Sequence, residues 1–250
     1  MRIHQPDLVQ DIPHAVLLDL DNTVYAYEEA DHAAREALQA KVTNSFQVST
    51  SEFEDAYEKA RQDVKARLPG VAAAHNRLLY IQRMCELIGL GSQPLLALDL
   101  EQTYWRTFLN NAHLFDGVKD FLYGLRKIGI PSCFVTDLTS QIQFRKLVFF
   151  ELDRLVNFVV TSEESGADKP RTNSFSLALE KLKPSGGVVW MVGDSLTSDI
   201  HGASEAVNAI TFQKTHEGVV TGRGAKRANV EFSNFRELSG LLQGLLKGSE

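Results

Sequence analysis

Four consecutive apolar residues, Ala15, Val16, Leu17 and Leu18, rise out of a mixed N-terminal stretch and end on Asp19. An apolar run without alternation predicts a strand buried on both faces, the kind found inside a parallel sheet. Comparable runs stand at residues 130–136, 156–161, 187–192 and 207–212, and helical periodicity fills the stretches between them. That alternation predicts an α/β core, a Rossmann-like doubly wound parallel sheet with helices on both faces.

Residues 25–113 follow another rhythm, with apolar positions at helical spacing and no strand-like run. Phe53, Tyr57, Ala60 and Val64 make one stripe, Leu78, Ile81, Cys85 and Ile88 a second, and Leu96, Leu100, Tyr104 and Phe108 a third. Ser51 with Glu54 has the spacing of a capping box at the head of the first stripe. Pro69-Gly70 and the glycines at 89 and 91 punctuate the pattern. This predicts a helical-bundle cap domain inserted after the first strand, so that residues 1–24 and 114–250 form the α/β core and 25–113 the insertion. Phe115-Asp-Gly-Val118 returns the chain to the core, and residues 235–247 close it with a helix.

Composition narrows the setting. A chain of 250 residues that is 44% hydrophobic can pack an interior. Its formal net charge of −6 argues against a broad basic surface for a nucleic acid polymer and leaves anionic small molecules admissible. Cys85 and Cys133 stand in no CxxC or Cys/His cluster, so neither a disulfide framework nor a zinc site is expected. Residues 1–11 lack an apolar signal core and no stretch approaches 18 apolar residues, which predicts a cytoplasmic protein without a membrane partner.

Asp19-Leu-Asp21-Asn-Thr23 stands where the first strand ends. Residues two apart in extended backbone point the same way, and ligands bind at the C-terminal ends of parallel strands. One carboxylate can then serve as nucleophile while the other exchanges protons with leaving group and water. Alone, such a pair also fits a helix cap or a turn. Thr136 closes the second apolar core run and can offer a hydroxyl to a phosphate oxygen. Lys169, in a loop before a helix over 173–182, can bring an ammonium to the same oxygens, although a single lysine also fits a solvated surface position. Gly193-Asp194-Ser-Leu-Thr-Ser-Asp199 follows another apolar run, so Asp194 stands at a strand end as Asp19 does. Two carboxylates, a backbone carbonyl and a substrate phosphate are hard oxygen ligands of the kind Mg2+ takes.

These four signatures, in this order, resemble the haloacid dehalogenase superfamily over residues 14–212. The resemblance implies that Asp19 is the nucleophile and that Asp21 is the acid/base and a metal ligand through its backbone carbonyl. Asp194 would be the second carboxylate ligand, and Asp199 would support the metal directly or from behind a ligand. Thr136 and Lys169 would hold the transferring phosphoryl group. The cofactor implied is Mg2+, the substrate a small phosphate ester, and the insertion looks like the family's small helical cap, which sets substrate choice. Tyr25, Tyr27, His75, Asn76 and Arg77 are candidates for its entrance.

Three positions depart from the family's usual pattern. Asn22 replaces glycine, and Asp-Asn-Thr is similar to the pyrimidine-nucleotidase-like branch. Asp137 adds a negative charge beside Thr136, for which Arg171 or Lys146 can supply a cation. Arg171 replaces a more usual acidic or polar residue. A 2-haloacid dehalogenase would lack Asp21, and a phospho-acceptor receiver domain would carry its aspartates in another order. A catalytically silent phosphate-binding or scaffold protein on the same fold stays open, and turnover of an aryl phosphate with and without Mg2+ separates it from an enzyme.

Overall fold

The computed structural model describes residues 1–248, and the chain divides into two compact units, Met1–Tyr25 with Leu114–Glu250, and Ala26–His113. Among the described residues of the first unit is a seven-stranded sheet. Its strands are β1 (Arg2–Ile3), β2 (Ala15–Leu18), β3 (Ser132–Thr136), β4 (Phe158–Thr161), β5 (Val189–Gly193), β6 (Ile210–Lys214) and β7 (Val230–Phe232). The spatial order is β1-β7-β6-β5-β2-β3-β4, parallel throughout except that β1 runs antiparallel to β7. The two strands absent from the apolar-run reading are β1 and β7, of two and three residues, too short to leave a pattern.

The helices are α1 (Tyr27–Ser45), α2 (Thr50–Arg67), α3 (Arg77–Leu87), α4 (Pro94–Asn111), α5 (Val118–Lys127), α6 (Ser140–Phe149), α7 (Ser162–Ser165), α8 (Thr172–Leu182), α9 (Gly202–Val207) and α10 (Phe235–Gly248). Side chains alternate along each strand, so Leu17, Cys133 and Met191, which stand opposite one another, point to one face. There they pack with Phe175, Ala178 and Leu182 of α8 and Ala203 of α9. Trp190 and Phe212 share the other face, their ring centroids 4.4 Å apart. α5 and α10 pack together, through Phe121 against Phe235 at 5.8 Å, and contact β3 and β7. Both faces are thereby covered, as a sheet of unbroken apolar runs requires.

In the second unit α1 packs on α4 and α2 on α3, around a core of Leu38, Phe53, Tyr57, Ile81, Met84 and Leu100. The capping box at the head of α2 is not the expected one. The same spacing occurs twice, and it is Ser49 with Glu52 that closes the box. Starting the helix there turns Glu54 towards α1, where Arg35 and Gln39 hold its carboxylate at 2.6 and 3.0 Å. Among the described residues no helix is long and apolar enough to cross a membrane, and Cys85 and Cys133 are buried free thiols.

Candidate active site

The sheet order reverses at β2. The chain leaves β2 towards β3 and β4, then returns to β2's other side through β5, so the crevice between the ends of β2 and β5 is a topological switch point. Leu18 stands opposite Val192, and the Asp19 N–H donates to the Val192 carbonyl at 2.9 Å. Asp19 and Asp194 therefore leave neighbouring strand ends. Asp199 joins them from a π-helical segment, Leu196–His201, whose start the Ser195 hydroxyl caps. Its approach depends on Gly193, where a Cβ would stand 2.4 Å from that of Asp199. The outcome is one carboxylate oxygen each from Asp19, Asp194 and Asp199, all within 4.8 Å of one another.

Among the described residues the ammonium of Lys169 bonds to this group. Lys169 Nζ lies 2.6 Å from Asp19 Oδ1 and 2.6 Å from Asp199 Oδ1. The Thr23 hydroxyl adds a bond to Asp19 Oδ2 at 3.0 Å and lies 3.3 Å from Asp194 Oδ1. One positive charge does not balance three negative ones. Burial pushes the Asp19 carboxyl up to about 7 against the pull of Lys169, with Asp199 adding repulsion. Burial and then the charges of Asp19 and Asp199 push Asp194 up to about 8. Burial would lower Lys169, but the attraction of Asp19, Asp199 and Asp137 outweighs it and holds the ammonium well above its ordinary range. Hard oxygen donors with surplus negative charge fit a divalent cation of the Mg2+ kind.

The chain matches the profile of the haloacid dehalogenase-like hydrolases over residues 13–206. It is 35% identical over 219 residues to ribulose-1,5-bisphosphate 5-phosphatase of Halopiger xanaduensis, covering 87% of this chain and 91% of that one. The chain belongs to the haloacid dehalogenase-like hydrolases. Glyceraldehyde 3-phosphate phosphatase of Methanopyrus kandleri is 30% identical over 195 residues, 77% of this chain and 80% of that one. The magnesium-bound HAD-hydrolase YfnB of Bacillus subtilis superposes with a TM-score of 0.63 at 22% identity, over 91% of this chain and 97% of that one. Within the family the chain is a phosphatase, a hydrolase of phosphoric monoesters.

The other candidates of this hydrolase occupy distinct surroundings. Asp21 does not join the three clustered carboxylates. Lys146 Nζ meets its Oδ1 and Oδ2 at 2.7 and 2.8 Å, Gln143 Nε2 lies 3.3 Å from Oδ2, and the Tyr25 hydroxyl donates to Oδ1. Burial works to raise the Asp21 carboxyl, yet Lys146 and the hydrogen bonds win and hold it below its ordinary value. Thr136 ends β3, buried, its Oγ1 accepting from Gln143 Nε2 at 2.7 Å. Asn22 takes φ of 62°, the left-handed conformation that asparagine tolerates.

The hydrogen bond that Asp137 makes is to neither cation expected beside it. Lys146 is committed to Asp21, and Arg171 is exposed. Asp137 Oδ1 instead accepts the backbone N–H of Lys169 at 3.0 Å, and burial pushes its carboxyl up to about 6 against the pull of Lys169. Asp137 thus steadies the loop that delivers Lys169. Asp199 has both oxygens engaged, Oδ1 by Lys169 and Oδ2 by the Ser195 N–H at 3.0 Å.

Four participants escaped the sequence reading of the site: Thr23, Gln143, Gly193 and Lys146 in its observed role. A signal for two of them exists in α6. It buries Gln143 and Lys146 beside Ile142 and Leu147 while Phe144, Val148 and Phe149 are exposed, and the i, i+3 spacing sets the two polar residues on one face. Of the residues proposed for the cap entrance, Tyr25 belongs to the Asp21 cluster, and the Asn76 side chain caps α3 by accepting the Leu78 N–H at 2.9 Å. Tyr27 and Arg77 join Tyr104 and Asp31 in a polar cluster inside the helical unit, with Arg77 5.5 Å from the Tyr104 ring centroid. His75 offers its carbonyl to Arg77 at 2.7 Å.

Proposed function

We propose that this hydrolase is a Mg2+-dependent phosphatase that cleaves a phosphosugar monoester through an aspartyl-phosphate on Asp19. The observation that carries the reading is the group of buried Asp19 and Asp199 with half-buried Asp194, within 4.8 Å and crossed by the ammonium of Lys169. The substrate class follows the relatives, which act on ribulose-1,5-bisphosphate and glyceraldehyde 3-phosphate. The magnesium bound to YfnB agrees with the hard donor set here.

In the first step a carboxylate oxygen of Asp19 attacks phosphorus, the ester P–O bond breaks, and the leaving alkoxide takes a proton that Asp21 carries only once the substrate draws its carboxyl away from Lys146, whose ammonium otherwise keeps it ionised. In the second, Asp21 takes a proton from water as the water oxygen attacks phosphorus, the bond to Asp19 breaks, and inorganic phosphate leaves. Lys169, already between Asp19 and Asp199, faces the charge that develops on the phosphoryl oxygens, and the Thr136 hydroxyl at the neighbouring strand end completes their cradle. Asp19, Asp194 and the backbone carbonyl of Asp21 would hold Mg2+, with Asp199 fixing Lys169 behind them. When bound, the ion supplies charge neutralisation and polarises phosphoryl oxygens.

The test uses an aryl phosphate whose leaving group departs unprotonated. Asp21→Asn is expected to release a burst of about one phenolate per site and then stall, with phosphate recoverable on the peptide containing Asp19 after acid quench. Asp19→Asn should give neither burst nor turnover, and chelator should silence the wild type until Mg2+ is restored. Unimpaired turnover by Asp21→Asn, or a phosphoryl group on another residue, overturns the reading.

A further inference from the structure

A lysine with no exposed surface is rare, because removing an ammonium from water costs several kcal/mol unless a partner offsets it. Lys146 is such a residue. It rises from the buried face of α6, one turn beyond Gln143, and both side chains converge on Asp21. Gln143 is itself anchored, its Nε2 reaching Thr136 Oγ1 at 2.7 Å and the Asp137 carbonyl at 2.6 Å. Tyr25 closes the third side, its ring 5.9 Å from the Lys146 ammonium and packed on Phe150 at 5.0 Å. The reaction drawn above needs no cation at this place, since Lys169 already serves Asp19 and Asp199.

We propose that Lys146, steadied by Gln143, is a positioning residue that aims the Asp21 carboxylate for activation of the attacking water. The inference rests on Asp21 being the acid/base. Both Asp21 oxygens meet one ammonium, so the carboxylate plane is fixed. Breakdown of the phosphoenzyme is the step that needs Asp21 as a directed base, so that step carries the effect. With a leaving group that needs no proton, formation of the phosphoenzyme is largely spared.

The experiment measures full-length Lys146→Met, Lys146→Gln, Asp21→Asn and the Asp21→Asn/Lys146→Met double variant with an activated aryl phosphate and Mg2+. Lys146→Met should slow phosphoenzyme breakdown by roughly 100-fold, in the range of a lost acid/base contribution. Then kcat and KM fall together, kcat/KM stays nearly constant, and phosphate accumulates on Asp19. The double variant should be no slower than Asp21→Asn alone. Lys146→Gln, which keeps a hydrogen-bond donor beside Asp21, should accumulate less phosphoenzyme, and it decides the question if the methionine variant does not fold. Wild-type turnover, a fall in kcat/KM without phosphoenzyme, or additive losses in the double variant would overturn the role of Lys146. Wild-type turnover by Asp21→Asn would instead refute the acid/base assignment beneath it.

Discussion

Replacing Asp194 by asparagine removes one negative charge from a largely buried group that holds three carboxylates and the Lys169 ammonium, and the consequence for stability can be worked through. At 4.8 Å, the outer limit of separation for these oxygens, two ionised carboxylates repel by about 3 kcal/mol at an effective dielectric of about 20. Asp194 faces two such neighbours, Asp19 and Asp199, and is attracted by Lys169. Two repulsions less one attraction leave about 3 kcal/mol released at a pH where all three are ionised. The folded carboxyls titrate at about 7 for Asp19 and about 8 for Asp194, above the ordinary 3.8. The folded protein therefore binds more protons than the unfolded chain across that interval, and stability must fall as pH rises from about 4 to about 8. Below pH 4 both states are protonated and the penalty vanishes.

Thermal melts in chelator from pH 4 to 8.5 check this. The wild type should lose Tm as pH rises, Asp194→Asn should lose less, and at pH 8 the variant should melt higher by roughly 6–12 °C, taking about 2–4 °C per kcal/mol for a chain of this size. Mg2+ should then raise the wild-type Tm steeply at pH 8 and the variant's far less, because a ligand stabilises only the state that binds it. The same variant should be inactive while more stable without metal. A metal-free Asp194→Asn protein that melts below the wild type at pH 8 would refute the reasoning and make Asp194 a structural residue.

Two further substitutions probe local geometry. Gly193→Ala puts a Cβ 2.4 Å from Cβ and 2.5 Å from Cγ of Asp199; it should cost about 1–3 kcal/mol in urea unfolding and lower turnover by displacing a partner of Lys169, and an unchanged midpoint would show that Asp199 yields freely. Ser49→Ala should cost about 1 kcal/mol through loss of the cap on α2 while Ser51→Ala costs almost nothing, read from urea midpoints at constant m; the reverse order would restore the alternative helix start.

What the sequence determined by itself was whatever local periodicity or strand-end placement encodes. Unbroken apolar runs announced the parallel strands, helical stripes announced the inserted helices, and aspartates after apolar runs announced which carboxylates stand at the strand ends. Very short elements leave no period, so β1 and β7 escaped, and a doubled Ser-x-x-Glu spacing gave two helix starts that only packing against Arg35 and Gln39 separated. Tertiary structure decided the partnerships. Strand order reverses at β2 and brings Asp194 beside Asp19 across 175 positions of chain numbering, while Asp21, two residues from Asp19, is drawn to Lys146 on α6. Coulomb interactions and desolvation depend on distance in space and on exclusion of water, and neither is a property of neighbours along the chain. For that reason the sequence named the aspartates, and only the folded chain sorted them into a clustered group of three and a separately held fourth.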